Sequence, residues 1–463
     1  MPPLTPRRRN LLQAFMFSSL GMLPRHGAFA MSRSTTFKQV VVIGAGMAGL
    51  AAASRLRAAG HEVVVLEARD RLGGRIWTDR SWADSPVDLG ASWIHGVRAN
   101  PVARLARKYD VATTVYDFGD LAANTRSAPL YEASGRPVPA AQVERLSEDQ
   151  EAISARLSAL AETASEALSL DAALRQALDA GGLDGARREN VLELQSRIIE
   201  DDYGASIGEV AAWGLDESGG FGGREVVFPQ GYGQLTDHLA RGLDVRLGHA
   251  VDEIDYREPR VRIHTRQGLF EADRVMVTLP LGVLKEPSVR FTPALPAQKR
   301  EAIERLGMGV YNKLYLRFPR AFWDDVPAFS QRGTRHGMWA NWYVMDRIVQ
   351  APVLCALIGG DAARRFEQMG DDEIVRDAVE RLASIFGARV EAPVGHRITR
   401  WASDPFARGS YSFPALGCRA GDRQALADPV DNRVHFAGEA THEHYSGTVH
   451  GALLSGWREA ARI

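Results

Sequence analysis

The sequence predicts a two-domain α/β fold, with a Rossmann-like dinucleotide-binding domain joined to a second domain of mixed sheet and helices. Three observations carry that reading. A β-branched run, Lys38 to Ile43, leads into Gly44-Ala45-Gly46-Met47-Ala48-Gly49 and then a helical stretch, Leu50 to Ala59. Gly60 stops that helix, and a second strand, Glu62 to Leu66, ends at the acidic Glu67. With 463 residues, 45% hydrophobic and 24% charged, the chain is too long for one ordinary domain and has a globular composition.

The chain opens on a segment that reads as an address. Arg7-Arg8-Arg9 precede a mildly apolar stretch, Leu11 to Leu23, and Ala28-Phe29-Ala30 has the small-x-small pattern of a cleavage site. Paired arginines before a weakly apolar segment resemble twin-arginine signals. Residues 1–30 are therefore expected to direct export to the periplasm or beyond, and the protein is expected in the cytoplasm if Met31 is the true start. The apolar stretch is too short to span a bilayer, so no stable membrane insertion is expected. The leader holds four of the 56 basic residues and none of the 57 acidic ones, so a net charge of −1 becomes −5 without it. That balance excludes the positive field that nucleic acid requires and mildly favours a cationic ligand. The two cysteines, Cys355 and Cys418, exclude a disulfide scaffold and a CxxC zinc site.

The glycines of the first turn let backbone N–H groups approach a pyrophosphate at a helix N-terminus. Glu67 is placed to accept hydrogen bonds from a ribose. Downstream, Ala68-Arg69-Asp70-Arg71-Leu72-Gly73-Gly74-Arg75 adds two glycines for close approach and an arginine to face phosphate. Residues 139–200 are rich in Ala, Leu and Glu with helical periodicity, and 243–283 alternate strand-like runs. Ile374, Val375, Val379, Leu382 and Ile385 mark an amphipathic helix over 371–386.

Glu67 to Arg75 closely resembles the ExxxxxGGR segment of the flavin amine oxidase superfamily. Four further segments are similar to that family. They are Asp88 to Gly96 (DLGASWIHG), Ala272 to Lys285 (ADRVMVTLPLGVLK), Trp401 to Tyr411 (WxxDPxxxGSY), and the carboxy-terminal pair Phe436 to Thr441 and Thr448 to Ala452. By motif the resemblance is to polyamine oxidases and to the amine oxidase domain of histone lysine demethylases.

The resemblance implies the two-domain flavin amine oxidase fold, α/β overall. A discontinuous FAD-binding domain would comprise 38–110, 222–300 and 395–463, and a substrate domain 111–221 and 301–394, with the 139–200 helices roofing the substrate site. It implies FAD held through Gly44, Gly46, Ala48, Gly49, Glu67, Arg69 and Arg75. The small residues Gly90, Ala91 and Ser92, with Trp93, would pack backbone against the flavin ring, and Val251 would meet the adenine through its backbone. Gly438 and Glu439 would contact the pyrophosphate or ribityl region, with Thr448 and Val449 at a helix start aimed at the flavin.

Lys313 matches the family lysine that holds a water near flavin N5. It is one of 5 lysines against 51 arginines, and a compact ammonium differs from a planar guanidinium. Tyr411 and Trp401 would wall an apolar slot for the uncharged amine, although a plain core role for Trp401 stays open. Thr448 stands where monoamine oxidases carry a second tyrosine, and Ser410 where they carry the cysteine that bonds flavin, so FAD is expected to be noncovalent. His95 would lie near the substrate. Glu200-Asp201-Asp202 and, less so, Asp371-Asp372-Glu373 would pair with distal amines or be solvated faces. Cys355 reads as buried filler. No metal is expected, despite His442, His444 and His450.

The implied reaction is FAD-dependent oxidation of an amine, a polyamine by resemblance. Hydride passes from the carbon beside nitrogen to flavin N5, giving an imine that hydrolyses to aldehyde plus amine, with O2 reduced to H2O2. The alternatives are an L-amino-acid oxidase, a monoamine oxidase or dehydrogenase, and a noncatalytic flavoprotein. The amino-acid oxidase reading is weakened because Ser92 follows the Gly-Ala pair where that group often has arginine.

Overall fold

In the first sheet the chain uses both faces of its strands. Five parallel strands lie in the order Val434–Phe436, Arg274–Val277, Gln39–Ile43, Glu62–Leu66 and Asp244–Arg246 in the computed structural model. Successive side chains of a strand point to opposite faces. Val40 and Val42 enter one apolar cluster with the helices Met47–Ala58 and Val449–Ala460. Val41 and Ile43 enter another with Ile254, Ile263 and Ala272 of a four-stranded sheet. Burial on both faces is why this strand reads as an unbroken apolar run instead of an alternation. The first helix starts at Met47, ahead of the predicted Leu50, because residues of the glycine turn already form its first turn: Leu50 N–H donates to Gly46 O at 3.0 Å.

The described residues are 37–116, 128–215, 220–333 and 337–463. The leader read at residues 1–30 lies outside them.

A second sheet has six strands in the order Gly395–Ile398, Tyr311–Arg317, Val353–Gly359, Asn341–Val344, Ala328–Gln331 and Leu130–Tyr131. All its pairs are antiparallel except the last. Gly395–Ile398, read from sequence as the start of the third FAD-binding piece, edges this sheet instead, through backbone pairing with Leu314 to Arg317. One face presents Leu314, Leu316, Trp342, Val344, Leu354 and Ala356 to the helices Gly360–Gln368 and Asp371–Phe386. The other face carries Tyr315, Tyr343, Cys355 and Leu357. Register sets Lys313 opposite Leu357 and Tyr315 opposite Cys355. The period-two rule then places Tyr311 and Lys313 on the Tyr315 face, and Asn341 on the Tyr343 face.

The helical stretch predicted over 139–200 is three helices, Ala140–Ala161, Leu170–Gly181 and Gly185–Tyr203. Leu146, Ile153, Leu157, Leu174, Val191 and Ile199 form their shared core. Gly182 and Gly204 close the second and third in left-handed conformation, a common way to end a helix. Among the described residues, no helix is long and apolar enough to cross a membrane.

Candidate active site

Two glycine turns meet at the start of helix Met47–Ala58. A Cβ on Gly49 would lie 2.0 Å from Gly44 O, so the protein's own packing requires this glycine. Gly46 is different. It bridges Gly73, and a Cβ there would meet nothing closer than Gly73 O at 3.8 Å. Gly438 likewise faces open space, with no described atom within 4 Å of where a Cβ would stand. Gly438 is called for by its backbone, at φ +136°, whereas Gly46, at φ −79°, is required neither by a neighbour nor by its backbone, which suits a cradle for close approach of something outside the chain.

Glu67 stands beside that cradle, buried, with its carboxylate accepting from Ala45 N at 2.7 Å and Arg69 N at 2.9 Å. His249 N donates to Glu67 O and Gly248 N to Arg69 O, which brings the turn before Val251 against the acid. Ala48 and Val449 pack in the adjoining core. Arg69, counted with the cofactor residues from sequence, has its guanidinium forked onto Asp404 at 2.8 and 2.7 Å. Its observed work is to tie the ExxxxxGGR segment to the WxxDP segment.

Arg75 donates to Glu439 Oε1 at 2.9 Å and to Ser410 O at 2.8 Å. The buried Glu439 also accepts from Ser412 Oγ at 2.7 Å and Gly447 N at 2.9 Å. Burial alone would raise this carboxyl, but the charge of Arg75 and the Ser412 and Arg75 hydrogen bonds outweigh it and hold it below the usual range. A charged pair thus borders Gly438. The glycine turn at a helix start and Arg75 offer N–H donors to phosphate, and Glu67 offers an acceptor to a ribose, so the residues present fit FAD.

Lys313 projects from the second sheet. Its buried ammonium donates to Asp88 O at 2.8 Å, to Gly90 O at 2.7 Å and to Ser92 Oγ, and lies 5.5 Å from the Trp93 ring. All three ammonium donors are therefore committed to the DLGAS segment, which fixes Gly90, Ala91 and Ser92 against the sheet. Burial lowers the ammonium from its ordinary value, partly offset by Cys355 and Asp88. Burial pushes the Asp88 carboxyl up to about 6, against the Thr78 hydroxyl, the Lys313 charge and the Tyr232 amide. Cys355, read as filler, is indeed buried, but it sits on the lysine's face of the sheet and is pushed up to about 11 by that burial.

Tyr411 stands edge-on to Tyr311 at 6.0 Å and donates to Asp201 O at 2.6 Å. A Cβ on Gly447 would lie 3.6 Å from the Tyr411 ring, so the chain just before Thr448 runs beside that ring. The Thr448 hydroxyl itself caps helix Val449–Ala460, accepting from Gly451 N at 2.9 Å and donating to Tyr445 O at 2.8 Å. Trp401 is buried and packs edge-on to Trp77 at 6.3 Å. His95 is largely exposed, with Nδ1 2.6 Å from Glu225 Oε2. Asp371-Asp372-Glu373 form the first turn of an exposed helix end, where Asp371 pairs with Arg400. The first acidic run is placed differently, since Asp201 lies among Tyr311, Tyr343 and Tyr411. No group of three or more His, Cys, Asp or Glu among the described residues is arranged to hold a metal.

Sequence reasoning missed roles for Asp88, Tyr311, Tyr315, Asn341 and Tyr343. The pattern Tyr311-x-Lys313-x-Tyr315 is a usable signal, because a strand puts all three on one face. For Asn341 and Tyr343 no local signal exists; they arrive by pairing with Val353–Gly359.

Residues 47–463 match the family described as flavin containing amine oxidoreductase. The chain is 36% identical over 449 residues to Lysine-specific histone demethylase 1 homolog 1 of Oryza sativa subsp. japonica, covering 92% of this chain and 52% of that protein. It is 35% identical over 433 residues to Polyamine oxidase 3 of the same organism, covering 92% and 88%. It thus spans about half the length of the demethylase relative and most of the oxidase. A solved structure, a putrescine oxidase double mutant redesigned at its cofactor site, shares the fold with a TM-score of 0.76 at 20% identity, covering 92% of this chain and 98% of that one. The chain belongs to the family of flavin-containing amine oxidoreductases, and its cofactor is FAD.

Proposed function

We propose that this protein oxidises a polyamine-type amine at the carbon beside nitrogen, releasing an aldehyde and an amine after hydrolysis, with O2 as electron acceptor. The observation that carries this reading is the sheet face on which Tyr311, Lys313 and Tyr343 converge with Tyr411 and Asp201. When bound, the flavin supplies the hydride acceptor. The chain supplies the surroundings. Tyr311 and Tyr411 wall a slot that favours an uncharged amine over an ammonium. Lys313 anchors the DLGAS backbone that borders the slot, and a water held by its ammonium would have to replace one of its three acceptors, Asp88 O, Gly90 O or Ser92 Oγ.

Ser410 supports noncovalent FAD: its hydroxyl donates to Tyr311 O and accepts from Tyr311 N, and serine cannot form a thioether. Acid or heat should therefore release the yellow colour into the supernatant. Flavin that stays with the precipitated protein would refute that assignment. The decisive test of function is an amine panel read as peroxide: spermine, spermidine, putrescine, aromatic monoamines and L-amino acids. Turnover confined to amino acids would overturn the polyamine reading. Export through the leader belongs to the same proposal, and cell fractionation that finds the full-length chain in the cytoplasm would remove it.

A further inference from the structure

Adjacent residues of strand Tyr311–Arg317 do different work on its two faces. Lys313 reaches the DLGAS segment, and Asn312, fully buried, reaches back to helix Gly360–Gln368. Asn312 Nδ2 donates to Glu367 Oε1 at 2.8 Å, and its Oδ1 accepts from Trp401 N at 3.0 Å and from Thr399 Oγ1 at 3.1 Å. The amide therefore has one usable orientation. Thr399 in turn holds both backbone polar groups of the lysine. Its Oγ1 accepts from Lys313 N at 2.8 Å, and its N–H donates to Lys313 O at 3.0 Å.

Glu367 completes this joint. Its carboxylate also accepts from Ala402 N at 2.8 Å, Ser403 N at 2.9 Å and Ser403 Oγ at 2.6 Å. With Asn312 Nδ2 that makes four donors, all neutral. Glu367 lies in the last turn of its helix, where the dipole disfavours negative charge. A carboxylate so placed is held by directed hydrogen bonds, and what it gives the fold is their geometry.

The N–H groups of three successive residues, Trp401 to Ser403, are thus fixed by Asn312 and Glu367. The next residue, Asp404, forks onto Arg69 beside Glu67. The Trp401 ring packs on Trp77, over which the Arg71 guanidinium lies at 4.5 Å, and Arg71 donates to Gly74 O at 2.9 Å. Four residues, Trp401 to Asp404, therefore tie the strand of Lys313 to both the acid and the glycine turn of the cofactor cradle.

Resting on the amine oxidase reading above, we infer that Glu367 and Asn312 are positioning residues for the oxidation step. They act through Trp401 and Lys313, which they hold in one frame with the cradle. A misplacement of about 1 Å at such a distance from the chemistry costs ~100-fold in rate.

The test uses the purified holoenzyme and whichever amine of the panel is turned over fastest. Glu367→Leu should lower the rate of anaerobic flavin reduction at saturating amine about 50-fold with flavin content retained. Glu367→Gln, which keeps one acceptor oxygen, should lower it about fivefold. Asn312→Leu should match Glu367→Leu, and the double variant should lose no more than about threefold beyond either, because the two act as one joint. Ile374→Ala truncates the apolar core behind the same sheet; it should lower the melting temperature yet leave the reduction rate within about twofold of wild type. An unchanged rate in Glu367→Leu, an equal loss in Ile374→Ala, or additive losses in the double variant would overturn the inference. If Glu367→Leu does not accumulate in folded form, Glu367→Gln decides by the same comparison. If the wild type oxidises no amine, the amine oxidase reading fails separately, and the visible absorption band of the bound flavin decides this one. A shift in Glu367→Leu that Ile374→Ala lacks supports the joint, and a shift in both or in neither rejects it.

Discussion

The two large sheets of this protein solve opposite problems. The parallel sheet buries both faces in apolar clusters, and its strands are valine-rich without alternation. The six-stranded sheet also buries both faces, one in Leu, Trp and Val, but its other face mixes apolar Cys355 and Leu357 with the polar-tipped Tyr311, Lys313, Tyr315, Asn341 and Tyr343. The first supplies a rigid edge from which glycine turns reach a cofactor. On the proposed function, the second supplies the side chains that meet a substrate. On that reading, chemistry sits on one face of alternating strands while the Leu, Trp and Val core takes the other.

The contrast between the sheets can be tested at four places. The largest effects belong to the glycine turn. Gly49→Ala drives a Cβ to 2.0 Å from backbone oxygen, and the protein should fail to accumulate in folded form. Gly46→Ala meets no atom closer than 3.8 Å, so the apoprotein should melt within about 2 °C of wild type while flavin occupancy falls at least about tenfold. Absorbance of the purified protein and a thermal melt separate the two. Equal unfolding would deny that Gly46 is bare for a ligand.

Next comes Lys313→Met. Rates of flavin reduction or re-oxidation should drop by about a hundredfold. Stability should fall by about 1–3 kcal/mol, because Asp88 O and Gly90 O lose a buried donor. Stopped-flow rates that match wild type would remove the lysine from the chemistry.

Two acids packed beside the polar wall, Asp88 and Asp201, predict a pH dependence smaller than this. Asp88 and Asp201 are raised when folded, to about 6 and about 7, from an ordinary carboxyl value of 3.8. The folded state therefore binds protons more tightly, and their contribution is fully present below pH ~4 and lost as pH rises through those values. Asp201→Asn should flatten the fall in stability between about pH 5 and 8 and should stabilise the protein at pH 8 by about 1–2 kcal/mol. Urea titrations at the two pH values check it, and a steeper slope in the variant would contradict the assignment.

The smallest effect is at the rim. His95→Ala removes an exposed ring paired with Glu225 and should move the melting temperature by under about 1 °C. A large loss of substrate affinity would show that the rim, and not the sheet face, governs selection.

The dinucleotide half is legible in the sequence because its determinants are contiguous. Strand Glu62–Leu66 and helix Asp371–Phe386 can be bounded to the residue, since periodicity and an adjacent glycine define each from within. The motif residues are legible too, but their partners are not. Arg69 meets Asp404, Arg75 meets Glu439, and Lys313 meets Asp88, each across more than 200 positions of sequence. Register between strands carries Tyr343 to Cys355 and Asn341 to Asp201, and a single strand holds no record of its neighbour.

The βαβ unit, the glycine turns, the helical segment and the family are all written in the primary structure, because local sterics and hydrophobic period act over a few residues. The charge balance, −1 with residues 1–30 and −5 without them, is written there as well. Which of the acidic runs matters emerges only when the chain is folded. Asp371-Asp372-Glu373 begins a helix at the solvent boundary, where charge is inexpensive, and Glu200-Asp201-Asp202 ends one beside three tyrosines. Composition cannot tell those cases apart, since the free energy of a carboxylate depends on the water and partners that folding leaves around it.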